Sequence, residues 1–139
     1  VDRYVFDKAR YLNKEIINLE MIEYQLDRLD GMSAEVQELA LIQTLEDLDF
    51  IEQEFNEILK AWNQGNIVEL ERLLLLSFKG FPDIYKRLIT DRNRNWLSRI
   101  KQFLEEDQTT LIVVGTAHLV GSDGLVQSLM RQGHKVRQL

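Results

Sequence analysis

From residue 33 to residue 62 the apolar side chains fall at Val36, Leu39, Ala40, Leu45, Leu48, Ile51, Phe55, Ile58, Leu59 and Trp62. Steps of three, four and seven dominate, which is the repeat that lines up side chains on one face of a helix. With Ser33 as its N-cap, the pattern predicts one helix of about thirty residues and roughly 45 Å, long enough to require a second long helix beside it. Shorter helical patterns run from about Arg3 to Tyr11 and from Ile22 to Leu29, the second stopped by Asp30-Gly31. Gly65 ends the long helix, and Asn66 with Glu69 reads as a capping pair for Ile67 to Phe78, which Gly80 closes. Pro82 suits the first turn of a further helix reaching about Glu105, because the N–H it lacks has no partner at that position.

Elsewhere the period changes. Glu15 to Glu20 is a short β-branched run bounded by Asn13-Lys14, and Thr109 to Val114 is a continuous buried-strand run stopped by Gly115. Ser122 can cap a helix through Met130, Gly133 ends it, and Lys135 to Leu139 alternates like an edge strand. Strand, helix, strand is a βαβ unit, normally parallel and right-handed. The expected fold class is therefore α/β and helix-rich, with long helices, a small and mostly parallel sheet, and a C-terminal βαβ unit in one domain.

Charge and composition narrow the function classes. The chain has 139 residues and a formal charge of −6, with no cysteine and two histidines. A net negative charge argues against nucleic acid or an anionic membrane surface as the main partner, and no apolar run approaches the roughly 18 residues of a membrane span. Without cysteine there is no thiolate nucleophile, disulfide framework or Cys-ligated zinc site. Residues 1–69 carry 16 acidic and 6 basic side chains and residues 70–139 carry 7 and 11, so the halves bear −10 and +4. Between Leu29 and Leu59 there are nine acidic residues and no Lys or Arg. Such a run is either a solvated helix face or a surface for a basic partner.

Any imidazole chemistry must use His118 or His134. His118 lies three residues past Gly115, just beyond the carboxyl end of the buried run, where loops of α/β folds collect ligands. Gly115 would let the backbone turn, leaving His118 either to present a ring nitrogen or to remain an ordinary loop histidine. Glu20 ends the other run in the same way, and if the two strands lie parallel in one sheet, a carboxylate and an imidazole share its edge and face each other. A catalytic divalent metal wants about three protein ligands, and no third is evident. In Asp91-Arg92-Asn93-Arg94-Asn95-Trp96, Arg92 and Trp96 are four apart and share a helix face. Arg92 is either a clamp for a carboxylate or phosphate, with Asn93 orienting it, or part of a salt-bridged helix surface facing the acidic half. Trp62 and Trp96 read as core residues, and His134 as structural.

Taken in order and spacing, Val1-Asp2-Arg3-Tyr4, Leu19-Glu20 with Glu23 and Gln25-Leu26, Arg92-Asn93 with Trp96, Gly115-Thr-Ala-His118-Leu119-Val120-Gly121 and Asp123-Gly124-Leu125 resemble the C-terminal part of the TraB/GumN family, which is similar to the Tiki metalloproteases. The resemblance implies that residues 1–139 form the C-terminal part of such a domain, without its N-terminal strands and first Gly-x-x-His motif. It implies a divalent-metal-dependent, peptidase-like hydrolase using manganese or cobalt, with a site that is incomplete here and too sparse in ligands to hold the metal alone. His118 and Glu20 would be ligands, or His118 would polarise the attacking water and Glu20 act as base. Arg92 and Asn93 would belong to the catalytic site, either contacting substrate or supporting the residues that do, with Gly115 as motif support. It also implies a bacterial envelope location and a peptide or small-molecule substrate. An incomplete sheet is expected to dimerise or swap elements. The alternative is a non-catalytic interaction protein that uses the acidic 29–59 segment.

Overall fold

The computed structural model describes residues 2–139, so Val1 lies outside it. Eight α-helices follow one another: α1 Asp2–Tyr11, α2 Ile22–Asp30, α3 Ala34–Asp47, α4 Ile51–Asn63, α5 Ile67–Leu76, α6 Pro82–Tyr85, α7 Asp91–Glu105 and α8 Leu125–Arg131. A π-helical segment, Lys86–Thr90, joins α6 to α7, and a 3-10 turn, Thr116–His118, precedes α8. The ends follow the capping chemistry. Val36 N–H donates to Ser33 Oγ and Glu69 N–H to Asn66 Oδ1, while the Glu69 carboxylate turns to Arg72 at 2.6 Å. Pro82 occupies the first turn of α6.

Three expectations are corrected. The α/β class does not hold: among the described residues there is no strand, hence no sheet and no βαβ unit. Residues 109–114 do keep a period of two, with Ile112 and Val114 packed on the core while Leu111 and Val113 are exposed. Alternation of this kind specifies one-sided burial, whereas a sheet also needs a neighbouring strand to take its backbone hydrogen bonds. Residues 15–20, 109–114 and 135–139 make no such bonds to one another. The single long helix is likewise two helices, α3 and α4, separated by a turn at residues 48–50 where Phe50 N–H donates to Asp47 carbonyl at 3.0 Å. No Gly or Pro marks that turn, so the apolar repeat runs through it unaltered. Near the C-terminus the helix cap is Gly124 and not Ser122.

Two apolar clusters hold the chain together. In one, Ala61 of α4 and Leu70 of α5 bury Val120, with Ile58, Leu73 and Leu74 around them. In the other, Trp96 and Ile100 of α7 meet Leu125 of α8, joined by Leu19, Leu97, Ile112, Val114, Leu119 and Leu129. The loop from Gly115 to Gly124 thus lies between both clusters. Gly124 has to be glycine there, since a Cβ would stand 2.5 Å from the carbonyl oxygens of Leu119 and Val120. Gly115 is under no such demand: its φ of −61° suits any residue and its side is open apart from the His118 ring at 3.8 Å. The expected hinge role therefore belongs elsewhere in this loop.

Candidate active site

α7 is the platform of the site. Asn93, Trp96 and Ile100 are its buried residues, at steps of three and four, and Arg92 lies one turn before Trp96. The π-segment sets the aim of this face. Its wider turn bonds Asp91 N–H to the Lys86 carbonyl, five residues back, and Arg92 Nη1 donates to the Leu88 carbonyl at 3.4 Å. Insertions of this type rotate everything downstream and recur at functional sites.

Opposite α7, the turn before α2 supplies Glu20. Leu19 anchors it in the core, and α2 is strapped to the platform by Arg87, whose guanidinium donates to the carbonyls of Arg28, at 2.6 Å, and Asp27. Asn95 adds a hydrogen bond to the Tyr24 hydroxyl at 2.6 Å. Glu20 consequently meets Arg92 in a two-pronged pair, with Nη2 to Oε1 at 2.7 Å and Nε to Oε1 and Oε2 at 3.2 and 3.3 Å. Both side chains are largely buried, at 13% and 16% exposure. Trp96 Nε1–H completes the carboxylate by donating to Oε2 at 2.9 Å.

His118 enters from the third side and is buried. Asn93 fixes its state. The Asn93 amide donates to two backbone carbonyls, those of His118 at 3.1 Å and Asp123 at 2.8 Å, so its oxygen is the atom turned to the ring. His118 Nδ1 lies 2.7 Å from that oxygen and must carry the proton, leaving a lone pair on Nε2. Nε2 lies 3.4 Å from Arg92 Nη1. Burial first and the Arg92 charge second push the imidazole down to about 4, with Glu20 opposing more weakly, so the ring is neutral at physiological pH. Trp96 packs against both partners, its ring 4.5 Å from that of His118 and 4.8 Å from the Arg92 guanidinium carbon.

The residues singled out in the sequence thus meet: Glu20, Arg92, Asn93 and His118 form one network, with Gly115 beside it. Trp96 is core, as expected, but it is also a hydrogen-bond donor to the site. Its four-residue spacing from Arg92 was the signal. Trp62 is not core, being half exposed. Of the two readings of Arg92, the structure shows the salt bridge to the acidic half of the chain, through Glu20, while Asn93 orients His118 and not Arg92.

The model of the TraB/PrgY/gumN family matches residues 1–138. The chain belongs to that family. No curated protein and no solved structure matches it. Within this TraB/PrgY/gumN chain no described helix is long and apolar enough to cross a membrane. Among the described residues, no group of three or more His, Asp or Glu stands close enough to hold a metal ion. The described side chains do not by themselves fit a divalent cation. Glu20 and His118 are two donors, and the Arg92 guanidinium already sits against both.

Proposed function

We propose that this TraB/PrgY/gumN chain carries the Glu20, Arg92, Asn93 and His118 part of a hydrolytic centre acting on peptide or related acyl bonds. One observation supports the reading above others. Residues from three separate stretches, 20, 92–93 and 118, lie in one buried hydrogen-bonded network that leaves a neutral imidazole lone pair facing a guanidinium. Buried polar networks of this density are costly to build and are concentrated at functional sites.

On this reading Arg92 turns hydrogen bonds from Glu20 and His118 toward the carbonyl oxygen of a substrate and stabilises the charge that develops there. The freed Glu20 carboxylate takes a proton from water as the water oxygen attacks the carbonyl carbon and the carbonyl π electrons move to the oxygen beside Arg92; when that intermediate collapses, the bond to the leaving amine breaks and Glu20 returns the proton to its nitrogen. His118 is a poor proton acceptor at neutral pH, and its Nε2 lone pair instead orients that water as a hydrogen-bond acceptor. Asn93 holds the tautomer that makes this possible.

The test is hydrolysis of a mixed peptide library, with and without added manganese or cobalt, by the wild-type chain and by Glu20→Gln and His118→Ala. Cleavage reduced by about 100-fold or more in Glu20→Gln is the expected result. Equal rates in all three proteins, or cleavage by none under any condition, would overturn the proposal.

A further inference from the structure

α2 leads directly out of the turn that carries Glu20, yet it has no core of its own. None of its residues is buried, and Ile22, Leu26 and Leu29 are roughly half exposed or more. Apolar packing fixes the start of this stretch at Leu19, and polar bonds hold the rest.

Two arginines from one short piece of chain make the outer bonds. Arg92 takes Glu20 at the start. Arg87 takes the last turn of α2: Nε donates to the Arg28 carbonyl at 2.6 Å, Nη2 donates to the Asp27 carbonyl, and Nη2 lies 3.7 Å from the Asp27 carboxylate. Carbonyls in a last turn lack intrahelical donors, and a guanidinium there also meets the negative end of the helix dipole.

The π-segment lets both arginines reach. Five residues of an uninterrupted α-helix leave two side chains about 140° apart around its axis. Here Asp91 N–H reaches back five residues to the Lys86 carbonyl, and in this wider turn five residues come closer to a full circle, so residues 87 and 92 both engage residues 20–28. Gly31 completes the seat of Arg87. Its φ of −78° is open to any residue, but a Cβ would press on Arg87 Nη2 and stand 2.8 Å from the Asp27 carbonyl oxygen that Nη2 binds.

We infer that Arg87 is a positioning residue for Glu20: with Arg92 it forms a two-point clamp that fixes residues 20–31 against α7 and so sets where the carboxylate stands. The catalytic consequence rests on the hydrolase reading, and the clamp itself does not. The planar fork of Arg serves two carbonyls at once, which the point charge of Lys does poorly.

Trp96 reports the outcome, because its Nε1–H is bonded to Glu20 Oε2. The two tryptophans give two indole N–H resonances in an isotope-labelled chain, and Trp62→Phe assigns that of Trp96. Arg87→Met is expected to move this resonance toward its place in Glu20→Ala. Gly31→Ala moves it the same way with both arginines intact, and Arg87→Lys moves it less than Arg87→Met. Ile58→Ala, a truncation in the cluster of α4 and α5, leaves it in place, so lost stability is not the cause. If Arg87→Met loses its helical circular dichroism, Gly31→Ala and Arg87→Lys decide. In peptide hydrolysis Arg87→Met lowers kcat about tenfold with KM unchanged. A Trp96 resonance unmoved by Arg87→Met and Gly31→Ala overturns the clamp. A moved resonance with the kcat of wild type overturns its role in catalysis. Absence of cleavage by the wild type defeats the hydrolase reading, while the resonance still decides the clamp.

Discussion

The molecule contains two regions with opposite habits. Around α7 the polar groups are inside: Asn93 and His118 are buried and the Arg92–Glu20 pair nearly so, and every one of them has a partner. Around α3 and the outer side of α4 the apolar groups are outside, and they have none. Hydropathy alone would have exchanged the two. What separates them is partner supply. A buried polar group is stable when its hydrogen bonds are met within the fold, whereas an exposed apolar stripe is a demand the fold leaves open. The first region meets its hydrogen bonds from within the chain, and the second leaves its apolar surface uncovered.

Truncating a tryptophan in each region gives the largest contrast. Trp96→Ala removes a core ring at the junction of α7 and α8 and strips Glu20 of one donor, so a loss of about 4 kcal/mol is expected from urea denaturation. Trp62→Ala is expected to cost less than about 1 kcal/mol. Similar losses at both positions would erase the distinction between the regions. Next in size is Arg92→Met, expected to cost about 3 kcal/mol because it leaves the Glu20 carboxylate largely buried beside only Trp96 Nε1–H. The double variant Glu20→Gln with Arg92→Met should recover part of that loss, and an additive double variant would show that the pair does not couple.

How much of this was legible depends on which kind of signal each residue carries. Helix positions were readable because capping chemistry is local: Ser33, Asn66 and Pro82 act on backbone within one turn. Residues 109–114 showed their one-sided burial but not whether a strand stands beside them, since pairing depends on chain distant in sequence. The break at 48–50 left no trace because neither Gly nor Pro was needed to make it. In the site, Glu20 and His118 were found by their place after apolar runs, and that placement survives the loss of the sheet because Leu19 and Val114 enter the same core around Trp96. The π-segment that aims Arg92 was invisible, as Lys-Arg-Leu-Ile-Thr has no composition that distinguishes one extra residue per turn from an ordinary helix. Trp62 was misplaced because periodicity gives a helix an apolar face without saying whether anything lies against it.

Asn93 links site and loop, so its removal sharpens the comparison from the polar side. Asn93→Ala leaves the carbonyls of His118 and Asp123 and the imidazole Nδ1–H without their donor or acceptor, and a cost of about 2 kcal/mol is expected. Acid tests the same region. His118 is held neutral and low, near 4, while in the unfolded chain it titrates near its ordinary 6.5. Between those values the unfolded state binds more protons, so stability rises with pH there and falls as the solution is acidified. The wild type should therefore lose stability faster than His118→Gln as pH drops from about 6.5 to 4, with a difference in slope approaching about 1.4 kcal/mol per pH unit. Parallel slopes would mean that the ring is not buried against Arg92.

The smallest expected effect is the most telling about the other region. Leu45→Ser and Phe55→Ser are apolar-to-polar changes that would each cost several kcal/mol in a core, as Leu125→Ser should beside Trp96. On α3 and α4 they take little out of contact, because both residues are 57% or more exposed in the folded chain. More than half of each surface is hydrated in the folded chain already, so the transfer term that normally dominates such substitutions is much reduced. Urea midpoints within about 0.5 kcal/mol of wild type are expected for both. A loss above about 2 kcal/mol at Leu45 would show that the stripe is already covered in the isolated chain, by another part of it or by a second copy. Dilution distinguishes these, since only the second contact weakens as the chain concentration falls.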